Sequence, residues 1–125
     1  MRFLELFSDW GDTVDLPAGA VIFSEQAPAD VMYVVLSGDV DLTLHGKPLG
    51  AEGAGGVIGE MAMLDSAMRS STATARTAVR LARLDRAQLR KIARDDAEFS
   101  LHVMSALANR LRSVDTFIST QLNAD

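Results

Sequence analysis

Residues 31–44 read VMYVVLSGDVDLTL, and this stretch decides the fold. Val31–Leu36 is a continuous apolar run, which is typical of a strand buried on both faces. Residues 37–39 offer a tight turn, and Val40–Leu44 then alternates apolar with polar residues in the period of a half-buried strand. The stretch therefore predicts a β-hairpin.

The sequence on both sides of this hairpin has a similar composition and predicts further short strands. From Gly11 to about Asp85 the chain is rich in valine, threonine and glycine and is interrupted at short intervals by turn residues. Further strands are predicted at Thr13–Leu16, Val21–Phe23, Thr72–Ala75 and Val79–Leu84, with turns at Pro17–Gly19 and at His45–Pro48. A total of about seven or eight strands favours an eight-stranded jelly-roll barrel.

After Leu84 the apolar residues recur at helical spacing. Asp85 and Gln88 form a capping signature, which predicts the beginning of a short helix. Residues 95–98 repeat the signature, and a long amphipathic helix follows, with apolar residues at Phe99, Val103, Leu107, Leu111, Val114 and Ile118. The predicted fold is α+β, mainly β. It is one domain, with the roll at about residues 11–85 and C-terminal helices at about 86–122.

The apolar stripe of the long helix is wider than one roll can cover along its full length. We therefore expect Leu111–Leu122 to pack against a second copy of the chain, forming a homodimer. The alternative is that this segment folds back on its own roll.

Composition and charge exclude several classes of function. The 125 residues suffice for one domain, and the net charge of −5 disfavours nucleic acid or an anionic membrane as a partner. The absence of cysteine excludes thiol chemistry, and the two histidines have no second metal ligand at suitable spacing. We expect neither an enzyme nor a metal protein. With no signal peptide and no apolar run of about 20 residues, the prediction is a cytoplasmic protein.

The segment Leu49–Ser71 carries the chemistry of the chain. It has glycines at positions 50, 53, 55, 56 and 59, which suit sharp turns or a close approach of a ligand to the backbone. Glu60–Leu64 can form a helical turn whose first N–H groups lack partners. No lysine or arginine occurs from Pro48 to Met68, and then Arg69 is followed by three hydroxyl residues. One planar cation beside small hydroxyls suits a singly charged phosphate.

Residues 59–64 read GEMAML and are followed, four residues later, by Arg69-Ser70-Ser71. This pattern resembles the phosphate-binding cassette of cyclic nucleotide-binding domains. Ala29–Val40 resembles a strand pair of that family, and the strand at residues 79–84 with two closing helices falls in the family's order. The resemblance implies a jelly roll with a helical subdomain, and a non-enzymatic sensor whose ligand is cyclic AMP or cyclic GMP.

By this resemblance, Glu60 would accept a hydrogen bond from the ribose 2′-hydroxyl, Arg69 would pair with the cyclic phosphate, and Ser70 would add a hydroxyl. Backbone N–H groups would complete the cradle. The predicted ligand-binding residues are Gly59, Glu60, Met61, Ala62, Arg69, Ser70 and Ser71. No catalytic residue, metal or resident cofactor is expected.

The chain departs from the family pattern at two places. Residues 65–68 stand where the family usually has Gly followed by Pro or a small residue. Counting from Arg69, Val114 and Asp115 stand where transcription-activating members place a Thr-Ser pair that contacts the base, and Thr116 comes next as a candidate base contact. The choice between the two bases therefore stays open. The alternative function is an interaction module of the same fold that binds no nucleotide.

The resemblance also bears on output. Transcription factors of the family continue into a winged helix-turn-helix, whereas this sequence ends at Asp125. We therefore expect a stand-alone sensor without a DNA-binding domain. Its ligand would move the C-terminal helices and change a dimer surface or the surface for a protein partner that the sequence does not identify.

Several conspicuous residues also have simple structural interpretations. Glu60 and Arg69 could pair with each other across a surface loop. Methionines 61, 63, 68 and 104 are expected to fill the core, and His45 and His102 to be exposed and inert. The arginines at 76, 80, 83, 86, 90 and 94 are expected to form a solvated face.

Overall fold

The structure of the protein, a computed structural model, describes residues 2–64 and 68–122. Its strands form two antiparallel four-stranded sheets, ordered β1-β8-β3-β6 and β2-β7-β4-β5, which confirms the predicted jelly roll. In chain order the elements are α1 (Arg2–Glu5), β1 (Thr13–Leu16), β2 (Val21–Phe23), β3 (Val31–Ser37), β4 (Val40–Leu44), β5 (Lys47–Glu52), β6 (Val57–Ile58), α2 (Glu60–Leu64), β7 (Thr72–Ala75), β8 (Val79–Asp85), α3 (Arg86–Asp95) and α4 (Ala97–Leu122).

Strand β3 is buried on both faces, as its continuous apolar run predicts. Met32 and Val34 point to one side of the sheet, and Val35 points to the other. Each side has its own apolar core. One core fills the space between the two sheets, and its fully buried members are Val35, Val40, Leu42, Ile58, Ala73 and Leu81. The sheet containing β3 and β8 thus lies between the second sheet and the helices.

The second core lies between this sheet and the helices. Phe99 of α4 is its centre, because the rings of Phe3 and Phe7 both pack against it. The Trp10 indole donates a hydrogen bond to the Arg83 carbonyl at 2.8 Å, which fixes the entry into β1. Sequence patterning did not predict α1, since four residues are too few to show helical periodicity.

Both helix starts follow their predicted caps. Asp85 accepts a bond from the Gln88 N–H while the Gln88 side chain accepts one from the Asp85 N–H, so the capping box is confirmed. Asp96 accepts a bond from the Phe99 N–H at 3.0 Å at the start of α4. None of the described helices is long and apolar enough to cross a membrane.

The predicted apolar stripe of α4 contains both buried and exposed residues. Phe99 and Val103 are buried, whereas Leu111 and Ile118 are 67% and 50% exposed. The distal part of α4 lies beside β5, where Lys47 Nζ donates to Gln121 Oε1 at 2.8 Å. A different face of the helix, including Ser113 and Phe117, lines the groove against this strand.

The predicted turn at His45–Pro48 is too long. Only His45 and Gly46 form the turn, with φ angles of 54° and 77°, and β5 begins at Lys47. Pro48 is compatible with β5 because this strand lies at the edge of its sheet. Strands β5 and β6 both lie in the glycine-rich segment, where the sequence shows no alternation to reveal them.

The turn between β3 and β4 requires glycine. Gly38 has a φ of +88°, and a Cβ there would clash with the Ala78 carbonyl and the Val79 side chain. Gly46 has a φ of +77° with no atom within 4 Å of such a Cβ.

We predict that Gly38→Ala lowers the free energy of unfolding by roughly 3 kcal/mol, since left-handed backbone strain is added to a steric clash. The matched variant Gly46→Ala adds only backbone strain, and its free energy of unfolding should fall by about 1 kcal/mol. Urea denaturation measures both. Equal losses would show that the close approach at Gly38 does not constrain the roll.

Candidate functional site

The site is built where β6 passes into α2. Gly59 separates the two elements with a φ of +77°, and a Cβ at this position would clash with the Arg69 guanidinium. The N–H groups of Met61 and Ala62 lie at the same place, and they make no i−4 bond within α2 because they belong to its first turn. The sequence therefore needs glycine here for two separate reasons, backbone conformation and the proximity of Arg69.

Arg69 reaches this place through backbone pairing with residues 26–28. Its N–H donates to the Ala27 carbonyl and its carbonyl accepts from the Gln26 N–H, each at 2.9 Å. The neighbouring residues Pro28 and Met68 form an isolated bridge. This pairing holds the backbone of Arg69 in place, and the side chain points inward. Asp65–Ala67 lie outside the described residues.

The Arg69 guanidinium is buried without a carboxylate partner among the described residues. Arg69 is only 5% exposed, and its Nη1 donates to the Gly59 carbonyl at 3.4 Å. The Cζ atom of Arg69 lies 4.3 Å from the centre of the Phe23 ring, and its Nε has no hydrogen-bond partner in residues 2–64 and 68–122. Burial lowers the pKa of Arg69 from its usual value. Phe23 was not among the predicted site residues.

The two serines that follow Arg69 line the same small cavity. Ser71 is buried, whereas Ser70 is exposed with its Oγ 3.8 Å from Met61 Sδ. The structure thus brings together Gly59, Glu60, Met61, Ala62, Arg69, Ser70 and Ser71 around one cavity, together with Phe23, Leu42 and Arg110. Their individual roles in binding stay predictions.

Glu60 is buried, and among the described residues neither of its carboxylate oxygens has a hydrogen bond of good geometry. It is 1% exposed, and the nearest cation is Arg110, whose Nε lies 3.5 Å from Oε1. Burial raises the pKa of Glu60, and the attraction of Arg110 offsets this only in part. The interpretation of Glu60 and Arg69 as a simple surface pair is therefore wrong, because both are buried and the partner of Glu60 is Arg110.

Arg110 is the charged site residue that sequence reasoning missed, in addition to Phe23 and Leu42. It projects from α4, is 6% exposed, and its Nη2 donates to the Val57 carbonyl at 3.1 Å and to Glu52 Oε1 at 3.3 Å. A signal was present, because Arg110 stands seven residues after Val103 and three after Leu107. Helical periodicity places such a residue on the buried face.

Thr116, the candidate base contact, does not line this cavity. It is exposed and lines a separate groove between α4 and β5, together with Lys47 and Phe117. Six residues separate it from Arg110, which is about 9 Å along a helix axis. Contact between Thr116 and a base stays a prediction.

Two simple expectations about side chains need correction. His102 is half-buried, stacks on the Phe3 ring with centroids 3.6 Å apart, and is hydrogen bonded to the Gly55 carbonyl at 2.7 Å. Met68 and Met104 are exposed rather than core residues, since neither lies beneath a packed layer. Arg86 is exposed, as predicted, and its guanidinium also donates to carbonyls of α2. His45 is exposed, as predicted.

Most of the other arginines in that set do form exposed ion pairs. The pairs are Arg76 with Asp41, Arg80 with Asp15, Arg83 with Asp12 and Arg94 with Asp95. Within residues 2–64 and 68–122 no group of three or more histidine, aspartate or glutamate residues could hold a metal ion.

A known family matches the roll and the first C-terminal helix. The model of the cyclic nucleotide-binding domain matches residues 13–96. The CRP-like cAMP-activated global transcriptional regulator of Mycobacterium tuberculosis is 33% identical over 118 residues, covering 90% of this chain and 52% of that protein. This chain therefore spans about half the length of that relative.

Solved structures show the same fold. The catabolite activator protein of Thermus thermophilus has a TM-score of 0.75 at 28% identity, covering 96% of this chain and 59% of that chain. The c-di-GMP responsive global regulator of Xanthomonas campestris has a TM-score of 0.82 at 23% identity, covering 99% of this chain and 65% of that one. The second likeness concerns the fold alone.

The unbonded carboxylate of Glu60 leads to a prediction about stability. We expect Glu60→Gln to raise the free energy of unfolding at pH 7 by about 1 kcal/mol, roughly 3–5 °C in Tm, because it removes a carboxylate charge that burial disfavours while Arg110 keeps its contact with Glu52. The pKa of Glu60 is raised in the folded protein, so the wild-type carboxyl becomes protonated as the pH falls through that pKa. The advantage of Glu60→Gln should therefore shrink on acidification.

Thermal unfolding at pH 7 and pH 5 measures this difference. Glu52→Gln is the matched control, because Glu52 also contacts Arg110 but its side chain is 23% exposed, so less burial cost is relieved. If Glu60→Gln is less stable than the wild type at pH 7, Glu60 contributes mainly as a structural partner of Arg110.

Proposed function

Because the chain belongs to the cyclic nucleotide-binding domain family, we propose that it binds cyclic AMP or cyclic GMP at the cavity between Gly59 and Ser71. In this proposal the chain is a sensor module rather than an enzyme, and its surroundings are cytoplasmic. The position of the family match and the geometry of the cavity residues support it independently.

The observation that carries the proposal is the buried guanidinium of Arg69. A buried cation without a carboxylate partner is costly, and such groups persist where they bind an anion. A cyclic phosphodiester carries one negative charge, which one guanidinium neutralises with two parallel hydrogen bonds. Arg69 now donates only weakly, at 3.4 Å to the Gly59 carbonyl, so it has donors to offer a phosphate.

Glu60 supports the ribose part of the proposal. Among the described residues neither of its buried oxygens has a well-formed hydrogen bond, and a carboxylate accepts bonds from hydroxyls. The ribose 2′-hydroxyl would supply a donor in addition to the long contact with Arg110. A 2′-deoxy ligand should therefore leave a buried acceptor unsatisfied, which is the basis of discrimination.

The small size of the cavity supports movement on binding. The space among Glu60, Arg69 and Arg110 is about 10 Å³, which is near the lower limit for a single water molecule. A nucleotide is far larger than this space, so in this proposal the residues lining it separate when the nucleotide binds. Arg110 belongs to α4 and the others to the roll, so opening the cavity changes the relation between α4 and α2. This is the ligand-induced helix movement that we propose.

Titration calorimetry with cyclic AMP and with cyclic GMP tests this function. We expect the wild type to bind at least one of them, and Arg69→Ala to bind it at least about tenfold more weakly, since charge-assisted bonds to the phosphate are lost. Arg76→Ala is the matched control, because Arg76 is exposed and paired with Asp41. The affinity of this variant for the nucleotide should equal that of the wild type.

Absence of binding by the wild type at millimolar concentrations of both ligands would exclude the proposal. It would instead favour an interaction module that has the same fold and binds no nucleotide. Equal affinities of the wild type and Arg69→Ala would show that the phosphate lies elsewhere.

The exposed face of α4 supports a homodimer as part of this function. Its apolar residues alternate at spacings of three and four, as in a coiled-coil seam: Leu101, Met104, Ala108, Leu111, Ile118 and Leu122, with Asp115 as the one polar member. Leu111 is 67% and Leu122 77% exposed. This seam is distinct from the face that lies beside β5, so packing on the roll and packing on a second copy are compatible.

We expect the wild type to sediment as a dimer and Leu111→Asp to sediment as a monomer, because a buried unpaired charge at the centre of the seam opposes association. Asn109→Asp is the matched control, since it adds the same charge at an exposed position outside the seam. A wild type that is monomeric at about 100 μM in sedimentation velocity, a weak association by affinity arithmetic, would exclude the dimer.

A further inference from the structure

Arg86 joins the cassette helix α2 to the first C-terminal helix. It is the first residue of α3, and its side chain reaches back to the end of α2. Its Nε donates to the Met63 carbonyl at 2.9 Å, and its Nη2 donates to the Ala62 carbonyl at 3.2 Å. The planar guanidinium thus contacts two consecutive carbonyls of one short helix.

These contacts meet a physical need of α2. The last four carbonyls of a helix have no partner within the helix, and α2 has only five residues. A cation at a helix C-terminus is also favoured by the helix dipole. A guanidinium can satisfy two such carbonyls because its donors point in fixed directions, whereas an ammonium group is a point charge.

The two ends of α2 are therefore held by different helices. Glu60, the first residue of α2, contacts Arg110 of α4, and the carbonyls of residues 62 and 63 contact Arg86 of α3. α3 is itself anchored by the Asp85 cap, by the buried side chain of Leu89 and by α4, whose Ser100 Oγ donates to the Ala93 carbonyl at 2.8 Å. The contacts of Arg86 give a displacement of α2 a direct route to α3, in addition to the route through α4.

We propose that Arg86 is a positioning residue that transmits movement of α2 to α3, in parallel with the connection from Arg110 to α4. The proposal deepens the function proposed above and rests on it, because the movement begins with a nucleotide at Glu60 and Arg69. It assigns α3 its own response to the ligand.

Arg90 provides a matched control in the same groove. It lies one turn after Arg86 on α3, and both line a groove with Met63 and Leu89. Within the described part of the chain, Arg90 makes no hydrogen bond to α2. Arg90→Ala therefore removes a cation and a long side chain from the same surface but leaves the contacts between α2 and α3 intact.

The test is amide hydrogen exchange by mass spectrometry on the wild type, Arg86→Ala, Arg86→Lys and Arg90→Ala, with and without saturating cyclic AMP or cyclic GMP. Without ligand, exchange in residues 86–95 should be about tenfold faster in Arg86→Ala than in the wild type, since hydrogen bonds from a charged group are lost. Arg86→Lys should restore part of the protection, and Arg90→Ala should match the wild type.

With ligand, the wild type and Arg90→Ala should change their exchange in both α3 and α4. Arg86→Ala should keep the change in α4, because Glu60, Arg69 and Arg110 are intact, and lose the change in α3. This selective loss distinguishes transmission from a general structural role, which would alter both helices together.

A preserved ligand response of α3 in Arg86→Ala overturns the proposal, and so does the joint loss of both responses. If the wild type binds neither nucleotide, the function proposed above fails and the samples without ligand decide the present inference. Equal exchange in Arg86→Ala and Arg90→Ala then overturns the connection between α2 and α3, and the tenfold difference supports it.

Discussion

The buried contact between Arg110 and Glu60 is the point at which the roll and the long helix depend on each other. Arg110 brings a guanidinium from α4 into contact with α2, with the carbonyl of Val57 in β6 and with Glu52 in β5. A charge that has been removed from water is tolerated only while such partners remain in place. The position of α4 and the geometry of the cassette are therefore linked by electrostatics as well as by packing.

The same site contains buried polar groups that the described part of the chain does not satisfy. Among these residues the two oxygens of Glu60 and the Nε of Arg69 have no well-formed hydrogen bond, which costs folding free energy. The roll tolerates this cost because one of its sheets is covered by apolar cores on both faces. Unfavourable polar burial of this kind is typical of binding sites, where a ligand supplies the missing partners.

Helix α2 occupies a central position in this arrangement although it has only five residues. Its first residue touches α4 through Arg110, and its last carbonyls touch α3 through Arg86. A short helix with few internal hydrogen bonds depends on such external contacts for its position. Small displacements at the cavity can consequently reach two helices whose outer surfaces are available to other molecules.

The sequence by itself determined the features that depend on local pattern. The apolar run at residues 31–36, the capping box at Asp85 and the glycine before Glu60 each act over a few residues, and the strands and helices they predict are observed. Strands β5 and β6 and helix α1 lack a local pattern, since glycine-rich or very short segments show no periodicity. These three elements take regular secondary structure only through pairing or packing with their partners in the folded chain.

Tertiary structure alone decided which charges meet. Glu60 and Arg110 are fifty residues apart, and Arg86 and Met63 belong to elements separated by two strands, so no local spacing joins them. The stripe of α4 likewise divided into a face against the roll and an exposed seam, because the roll covers only part of the helix surface. Periodicity shows that a residue is on the buried side of its own element, and the identity of its partner depends on how the elements pack.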